Sequence, residues 1–327
     1  MTESRVLITG ATGFVGSHVV ERFANIGLQQ RALVRPTSDT RQLTAAGADL
    51  VVGNLNDEPS LRAAVEGADL VVHMAAATHA RGETDYRRVN ETGTRNLIRA
   101  TLEADPRPRR FVYLSSLAAA GPSTDGRPVT PESVPRPLTA YGRSKLAGET
   151  ACREAGGIEF AVLRAAAVYG PRDSEMLRFF KMASLGWMLL PAGPRRRLQL
   201  VHVSDLADAV VRAALEPAVD GLFHIAEPRI WDWTEAAGFI ADAVGRKARL
   251  VRIPLFVMNS AALAAEAVHR LAGRSSMFNR DKVSEIAAPA WICETERAQQ
   301  AFGFQAAISL PEGLRQTADW YRQHGWL

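Results

Sequence analysis

Two cysteines in 327 residues, Cys152 and Cys293, are too few and too far apart for a disulfide framework or a thiolate metal site. A reducing cytosol is the compartment this implies. His73, His202 and His224 lie on or beside apolar strands without metal-ligand spacing, so packing is their expected role and no metal is expected. Charge is nearly balanced, with 39 Lys and Arg against 35 Asp and Glu and a net charge of +4. That mild excess suits an anionic cofactor and gives no reason to expect nucleic acid. Even the densest basic run, Arg195–Arg197, follows Pro194 and reads as a solvated turn. No apolar stretch is long enough to span a bilayer. Ile253–Val268 comes nearest, is broken by Asn259, Ser260 and Glu266, and reads as a buried or pocket-lining helix, with peripheral membrane contact the lesser alternative. Internal repeats are absent, and a strand pattern beginning at Arg5 leaves no signal peptide, so a cytoplasmic protein is expected.

What is present is the composition of a globular protein, 47% hydrophobic and 23% charged, in a chain long enough for one large domain and a smaller partner. β-rich runs at Val6–Thr9, Gln30–Val34, Asp49–Val52, Leu70–His73, Phe111–Leu114 and Phe160–Leu163 alternate with helical patterns. Such alternation predicts an α/β fold, a doubly wound parallel sheet of the Rossmann type. The rhythm fails after Gly170–Pro171. Gln199–Val203 and Leu222–Ile225 return as strands, and residues beyond Glu227 mix Trp, Pro and amphipathic helices. The reading is a dinucleotide-binding domain of residues 1–171 and 198–227, with a mixed substrate domain of 172–197 and 228–327. Pro122–Pro137 reads as an ordered loop at the active site.

The run Leu7–Ile8–Thr9–Gly10–Ala11–Thr12–Gly13–Phe14–Val15–Gly16 sets three glycines three apart between a strand and a helix read at Ser17–Ile26. In such a seat Gly10 makes the turn, Gly13 lets backbone approach a pyrophosphate and Gly16 lets the helix lie close to the sheet. Helix-start N–H groups then meet the anion. Further along, Tyr141 and Lys145 stand four apart at the start of a helix and share one face. A nearby ammonium would favour the phenolate and bring Tyr141 toward acid/base work. Ser115–Ser116 closes the strand Phe111–Leu114 at the end where open α/β sheets bind ligands.

The glycine triplet, the strand-end serines and the Tyr141/Lys145 pair together resemble the extended short-chain dehydrogenase/reductase superfamily, its NAD(P)-dependent epimerase/dehydratase group. His73–Met74–Ala75–Ala76, Val89–Asn90–Glu91–Thr92–Gly93–Thr94 opening a helix, Val168–Tyr169–Gly170–Pro171 and Val201–His202–Val203–Ser204–Asp205 match as well. The resemblance implies Tyr141 as general acid/base, Lys145 as its activator and ribose ligand, and Ser116, rather than Ser115, as the hydroxyl that orients substrate. It gives Asn90 a supporting place in the active-site network. It also implies nucleotide contacts at Gly10, Thr12, Gly13, Phe14, Val15, Gly16, Arg35, Asn54, Leu55, Ala75, Ala76, Lys145 and Val168. Thr78, His79, Ala118, Tyr169, Met176 and part of Trp187–Leu190 are the expected substrate walls. A homodimer through helices around Arg87–Glu103 and Tyr141–Glu154 is expected on the same ground.

Departures from the family pattern sharpen the reading. Leu117–Ala118–Ala119–Ala120–Gly121 lacks the Asp-Glu pair of sugar dehydratases and, at Ala120, the tyrosine of many sugar epimerases. Ala165 replaces the proline of the motif around Leu163–Arg164, and Asn54 stands where Asp is common. The two departures within Leu117–Gly121 point to the ketone-reductase and hydroxysteroid-dehydrogenase-like branch, an enzyme interconverting a ketone and a secondary alcohol of a largely apolar small molecule. The alternative is a nucleotide-sugar epimerase with tightly bound NAD, and a non-catalytic dinucleotide sensor is the third reading. The second strand ends in Arg35, with no acid there to hold a ribose hydroxyl. NADP is therefore favoured over NAD as the cofactor.

Overall fold

The computed structural model describes residues 4–217, 219–271 and 278–327, with backbone alone at 270 and 271. Parts of the expected domains at residues 1–3, 218 and 272–277 lie outside the described residues. Seven strands build the main sheet: β1 (Arg5–Thr9), β2 (Gln29–Val34), β3 (Asp49–Val52), β4 (Leu70–His73), β5 (Arg110–Ser116), β6 (Glu159–Ala165) and β7 (Gly221–Ile225). Every pairing is parallel, in the order β7-β6-β5-β4-β1-β2-β3. The chain winds outward from β1 to β3 and then crosses back to β4. The order therefore reverses between β1 and β4, which opens a crevice beyond their carboxyl ends.

Burial follows from helices on both faces. β4 is buried at all four positions because neither face meets water. On one face Val19, Val20 and Phe23 of the helix Phe14–Asn25 pack with Val210 and Ala213 of the helix Val203–Leu215. On the other, Leu61, Leu97, Ile98 and Ala151 come from three helices. Phe180, Trp231, Ile240, Leu314 and Tyr321 form another core, beyond the carboxyl end of the sheet.

The expected strand Gln199–Val203 is shorter and elsewhere. Leu200–His202 pairs with Ala167–Tyr169 outside the main sheet. It ends at His202 because the imidazole accepts the Ser204 N–H (3.3 Å) and caps the next helix. Arg195–Arg197 is not a uniformly solvated turn. Arg196 is buried, its guanidinium donating to the carbonyls of Pro191, Ala192, Pro194 and Ala287. Pro122–Pro137 is pinned to the C-terminal part through bridges from Ser123 to Ala290 and from Val129 to Cys293. The Ile253–Val268 stretch forms the helix Leu255–Leu271 but is not buried, since Phe256, Leu263 and Val268 face solvent. Apolar content alone does not fix which way a helix faces.

Candidate active site

Gly10 holds φ at +74°, and a Cβ there would come within 2.6 Å of the Ala75 nitrogen. At Gly16 a Cβ would lie 2.1 Å from the Gly10 carbonyl oxygen, so the helix can approach the turn only without a side chain. This helix starts at Gly13 with no side-chain cap and no acid in its first turn. Its positive end, flanked by exposed Thr12 and Gly13 and by partly buried Phe14 and Val15, is left for an anion. A dinucleotide pyrophosphate fits this cradle. Along the same rim, the Ala75 N–H donates to Thr9 Oγ1 (3.3 Å), and Ala76 is half-buried beside it.

Beyond β2, Arg35 is exposed, and its guanidinium has no ion pair or hydrogen bond among the described residues. The next acid, Asp39, is taken by Arg41, whose Nε donates to Oδ1 at 2.9 Å and whose guanidinium holds the carboxyl down to about 2. Asn54 is exposed and accepts the Asn56 N–H (2.9 Å) in a local turn, while Leu55 is buried beside it. Val168 is half-buried on the short strand opposite Val201. Sequence reasoning missed Arg172, a non-glycine residue at φ +75° that reaches back to Ser17 (3.1 Å) and Glu21 (2.5 Å) on the glycine-seat helix. Its signal was its place directly after Gly170–Pro171.

Alternation along β5 separates the two serines. Ser115 turns into the protein and donates to Glu149 Oε1 (2.5 Å), which is held by buried Arg164 through Nε (2.9 Å) and Nη2 (2.7 Å). Ser116 faces the crevice. Its oxygen accepts the Ala118 N–H (3.2 Å), capping the short helix Leu117–Ala120, and it hydrogen-bonds the Tyr141 phenol. Tyr141 stands in the first turn of the helix Ala140–Ala155. Thr139 Oγ1 accepts the Gly142 N–H (3.1 Å) at its start, and Asp281 accepts the Ala140 N–H (2.9 Å). The two helices meet closely, for a Cβ on Gly142 would lie 2.4 Å from the Ala118 carbonyl oxygen.

Lys145 lies one turn beyond Tyr141 and is buried, its ammonium 4.1 Å from the centroid of the Tyr113 ring. Burial pulls its pKa down to about 7, against the opposing pull of Glu149. The Tyr141 phenol is pushed up, first by burial and then by the Glu285 carboxylate, with the Ser116 hydrogen bond opposing. The expected lowering by Lys145 is therefore not what this geometry gives, because the ammonium faces Tyr113. Beneath the site runs a hydrogen-bonded chain that the sequence did not reveal. Thr9 Oγ1 meets His73 Nδ1 (2.6 Å), His73 Nε2 meets Thr94 Oγ1 (2.9 Å), and Thr94 donates to the Asn90 carbonyl (2.8 Å). Asn90, in a π-helical turn, donates to Ala77 O (3.0 Å) and Ser144 Oγ (2.9 Å) and accepts the Ala77 N–H (2.7 Å). Burial keeps His73 neutral, with its pKa at about 3, and does the same for His202 at about 4 and His224 at about 3.

Of the expected substrate walls, Thr78 and His79 are exposed, and Ala118 and Met176 are half-buried. His79 pairs with Glu175 (3.0 Å), an acid that sequence spacing could not connect to it. Two expected walls pack elsewhere. Tyr169 is buried against His202 in the second core, because Gly313 leaves room for its ring. Within Trp187–Leu190, Met188 and Leu190 join that core while Trp187 and Leu189 face solvent. Among the described residues no group of His, Cys, Asp and Glu could hold a metal ion.

A sequence model of the NAD dependent epimerase/dehydratase family matches residues 6–226. A ceramide reductase of Caulobacter vibrioides is 32% identical over 98% of this chain and 96% of its own length. A ketoreductase of Stigmatella aurantiaca acting on a 4-hydroxy-2-methyl-3-oxo-4-farnesyl-3,4-dihydroquinoline-1-oxide is 26% identical over 81% of both chains. Among solved structures, the UDP-glucose 4-epimerase of Thermus thermophilus in complex with NAD has a TM-score of 0.76 at 22% identity, over 97% of this chain and 99% of the other.

Proposed function

Since the chain belongs to the NAD-dependent epimerase/dehydratase family, an NAD(P)-dependent enzyme family of the extended short-chain type, we propose that it reduces a ketone to a secondary alcohol, or runs the reverse, on a largely apolar small molecule. The observation that carries this reading is the state of Tyr141. Its phenol is protonated at neutral pH, hydrogen-bonded to Ser116 at the carboxyl end of β5, and so placed to give a proton to a developing alkoxide. A bound nicotinamide dinucleotide supplies or accepts the hydride. Ser116 orients the carbonyl oxygen, and Lys145 and Asn90 hold the floor of the site.

One feature favours the reductase over the nucleotide-sugar epimerase. The wall beyond Ser116 is the apolar run Leu117–Ala120, without a carboxylate pair. The ceramide and farnesyl-quinoline specificities of the two relatives lie on the same side. The reading retains the division into a nucleotide part of 1–171 and 198–227 and a substrate part of 172–197 and 228–327. It describes a cytoplasmic homodimer paired through the helices Gly93–Glu103 and Ala140–Ala155.

With a panel of long-chain ketones, absorbance of the reduced nicotinamide should fall in proportion to alcohol formed. Turnover of a sugar nucleotide without net loss of cofactor would establish the epimerase instead. NADPH should be preferred to NADH, because the free Arg35 guanidinium suits a 2′-phosphate and Asp39 is occupied by Arg41. Arg35→Ala should raise the KM for NADPH by about tenfold or more and leave that for NADH within about threefold. Equal effects on the two cofactors would refute the NADP assignment.

A further inference from the structure

The helix Leu255–Leu271 turns a broad apolar face to solvent. At 100° per residue, Phe256, Val257, Ala261, Leu263, Ala264 and Val268 share an arc of about 160°, and all of them are exposed. Phe256 is 73% exposed, Leu263 55% and Val268 63%. No charged residue interrupts this arc. The side turned toward the protein holds buried Ala262 and also Glu266, whose carboxylate accepts the N–H (2.8 Å) and Nε (3.2 Å) of Arg280. An ordinary surface helix has its apolar stripe inside and its charges outside. Leu185 and, on the strand paired with Arg249–Ile253, Trp187 and Leu189 add further exposed apolar surface beside the segment that leads through Pro254 into the helix.

Charge says what covers this face. The approach to the helix reads Arg246–Lys247–Ala248–Arg249–Leu250–Val251–Arg252, and no acid occurs between Arg246 and Ala265. All four cations are exposed and have no ion pair among the described residues. Arg249 lies over the half-exposed Trp187 ring at 5.9 Å. A two-fold contact between copies through this face would set the cations near their own equivalents. An anionic bilayer surface, by contrast, takes both halves, with phosphates against the cations and acyl chains against Phe256 and Leu263. No described helix is long and apolar enough to cross a membrane, so the fit is to lying at the surface.

We propose that residues 246–268 dock the enzyme on an anionic lipid surface. The face stands one helix away from the chemistry. The apolar helix is tied through Glu266 to Arg280, at the start of the helix Arg280–Ala287, and that helix carries Asp281 and Glu285 to Tyr141. A ketone dissolved in the bilayer would thus have a short path to the crevice. This last point rests on the proposed reaction, whereas the docking does not.

The test is sedimentation of the full-length protein with vesicles of phosphatidylcholine and phosphatidylglycerol in equal parts. The wild type should pellet, and vesicles of phosphatidylcholine alone should bind at least about tenfold more weakly. Phe256→Glu with Leu263→Glu should cost at least about tenfold in binding to the anionic vesicles, while NADPH binding and the oligomer seen by light scattering stay unchanged. Tyr141→Phe, which stops the proposed reaction, should pellet like the wild type, so failure of docking and failure of the reaction are separable. Wild type left in the supernatant, or a double variant that pellets equally well, would overturn the proposal. So would a double variant whose oligomer is halved in mass, since the face would then be a contact between copies.

Discussion

Tyr141→Phe is expected to lower kcat by about 100- to 10,000-fold, the usual loss when a positioned proton donor is removed. The ring stays, and with it the edge contact to Tyr86 at 6.0 Å between centroids. Only the hydroxyl that meets Ser116 is lost. Affinity for the reduced dinucleotide, followed by fluorescence quenching, should therefore remain within about threefold, because removing one hydroxyl away from the pyrophosphate cradle takes away no phosphate contact. A variant turning over within tenfold of the wild type would mean that another group carries the proton. Ser116→Ala is the weaker companion, since that hydroxyl orients the carbonyl without supplying the proton.

The largest stability effect is expected from Glu149→Gln. Glu149 and Arg164 are an ion pair almost wholly out of water, with side chains 1% and 2% exposed. Arg164 Nη1 already lacks a partner, so loss of the carboxylate leaves a buried guanidinium with nothing to balance it. Breaking such a pair costs about 3–5 kcal/mol, which corresponds to a thermal midpoint lower by about 4–7 °C in a chain of this size. Arg164→Met combined with Glu149→Leu should recover most of that loss, because the desolvation cost of both charges disappears with them. Differential scanning fluorimetry of the three proteins reads this directly. A single variant as stable as the wild type would show that water reaches the pair.

The tight glycine turn after β1 was legible because its geometry is local. Gly10, Gly13 and Gly16 sit within one short stretch of chain, and the steric demand at Gly16 is created by its neighbour Gly10. The main sheet was legible too, since strands buried on both faces write themselves as short apolar runs. The pairing of Tyr141 with Ser116 came from the family pattern, and the close packing of Gly142 on Ala118 now gives it a physical basis. What could not be read were contacts between residues remote in sequence. His79 with Glu175, Asp281 with Ala140 and Glu285 beside Tyr141 depend on how the C-terminal part folds over the sheet. Tyr169 and the helix Leu255–Leu271 were misjudged for a related reason. Apolar character says that a residue can be buried, while the side it turns to is decided by its neighbours in space, such as Gly313 and Arg280.

The Asp281 carboxylate closes the N-terminal end of the Tyr141 helix from 141 residues further along the chain. The turn that carries Tyr141 therefore does not depend on the sheet half of the chain alone. Cutting the chain after β7 would leave the glycine seat and the sheet intact in composition, yet strip the Tyr141 helix of one of its caps and of the Glu285 charge that adds to burial in raising the phenol's pKa. In the proposed reaction, nucleotide binding and proton donation would thus be assembled from different stretches of the polypeptide. Substitutions in the C-terminal third can change the pH profile of the reaction without touching either the dinucleotide or its seat.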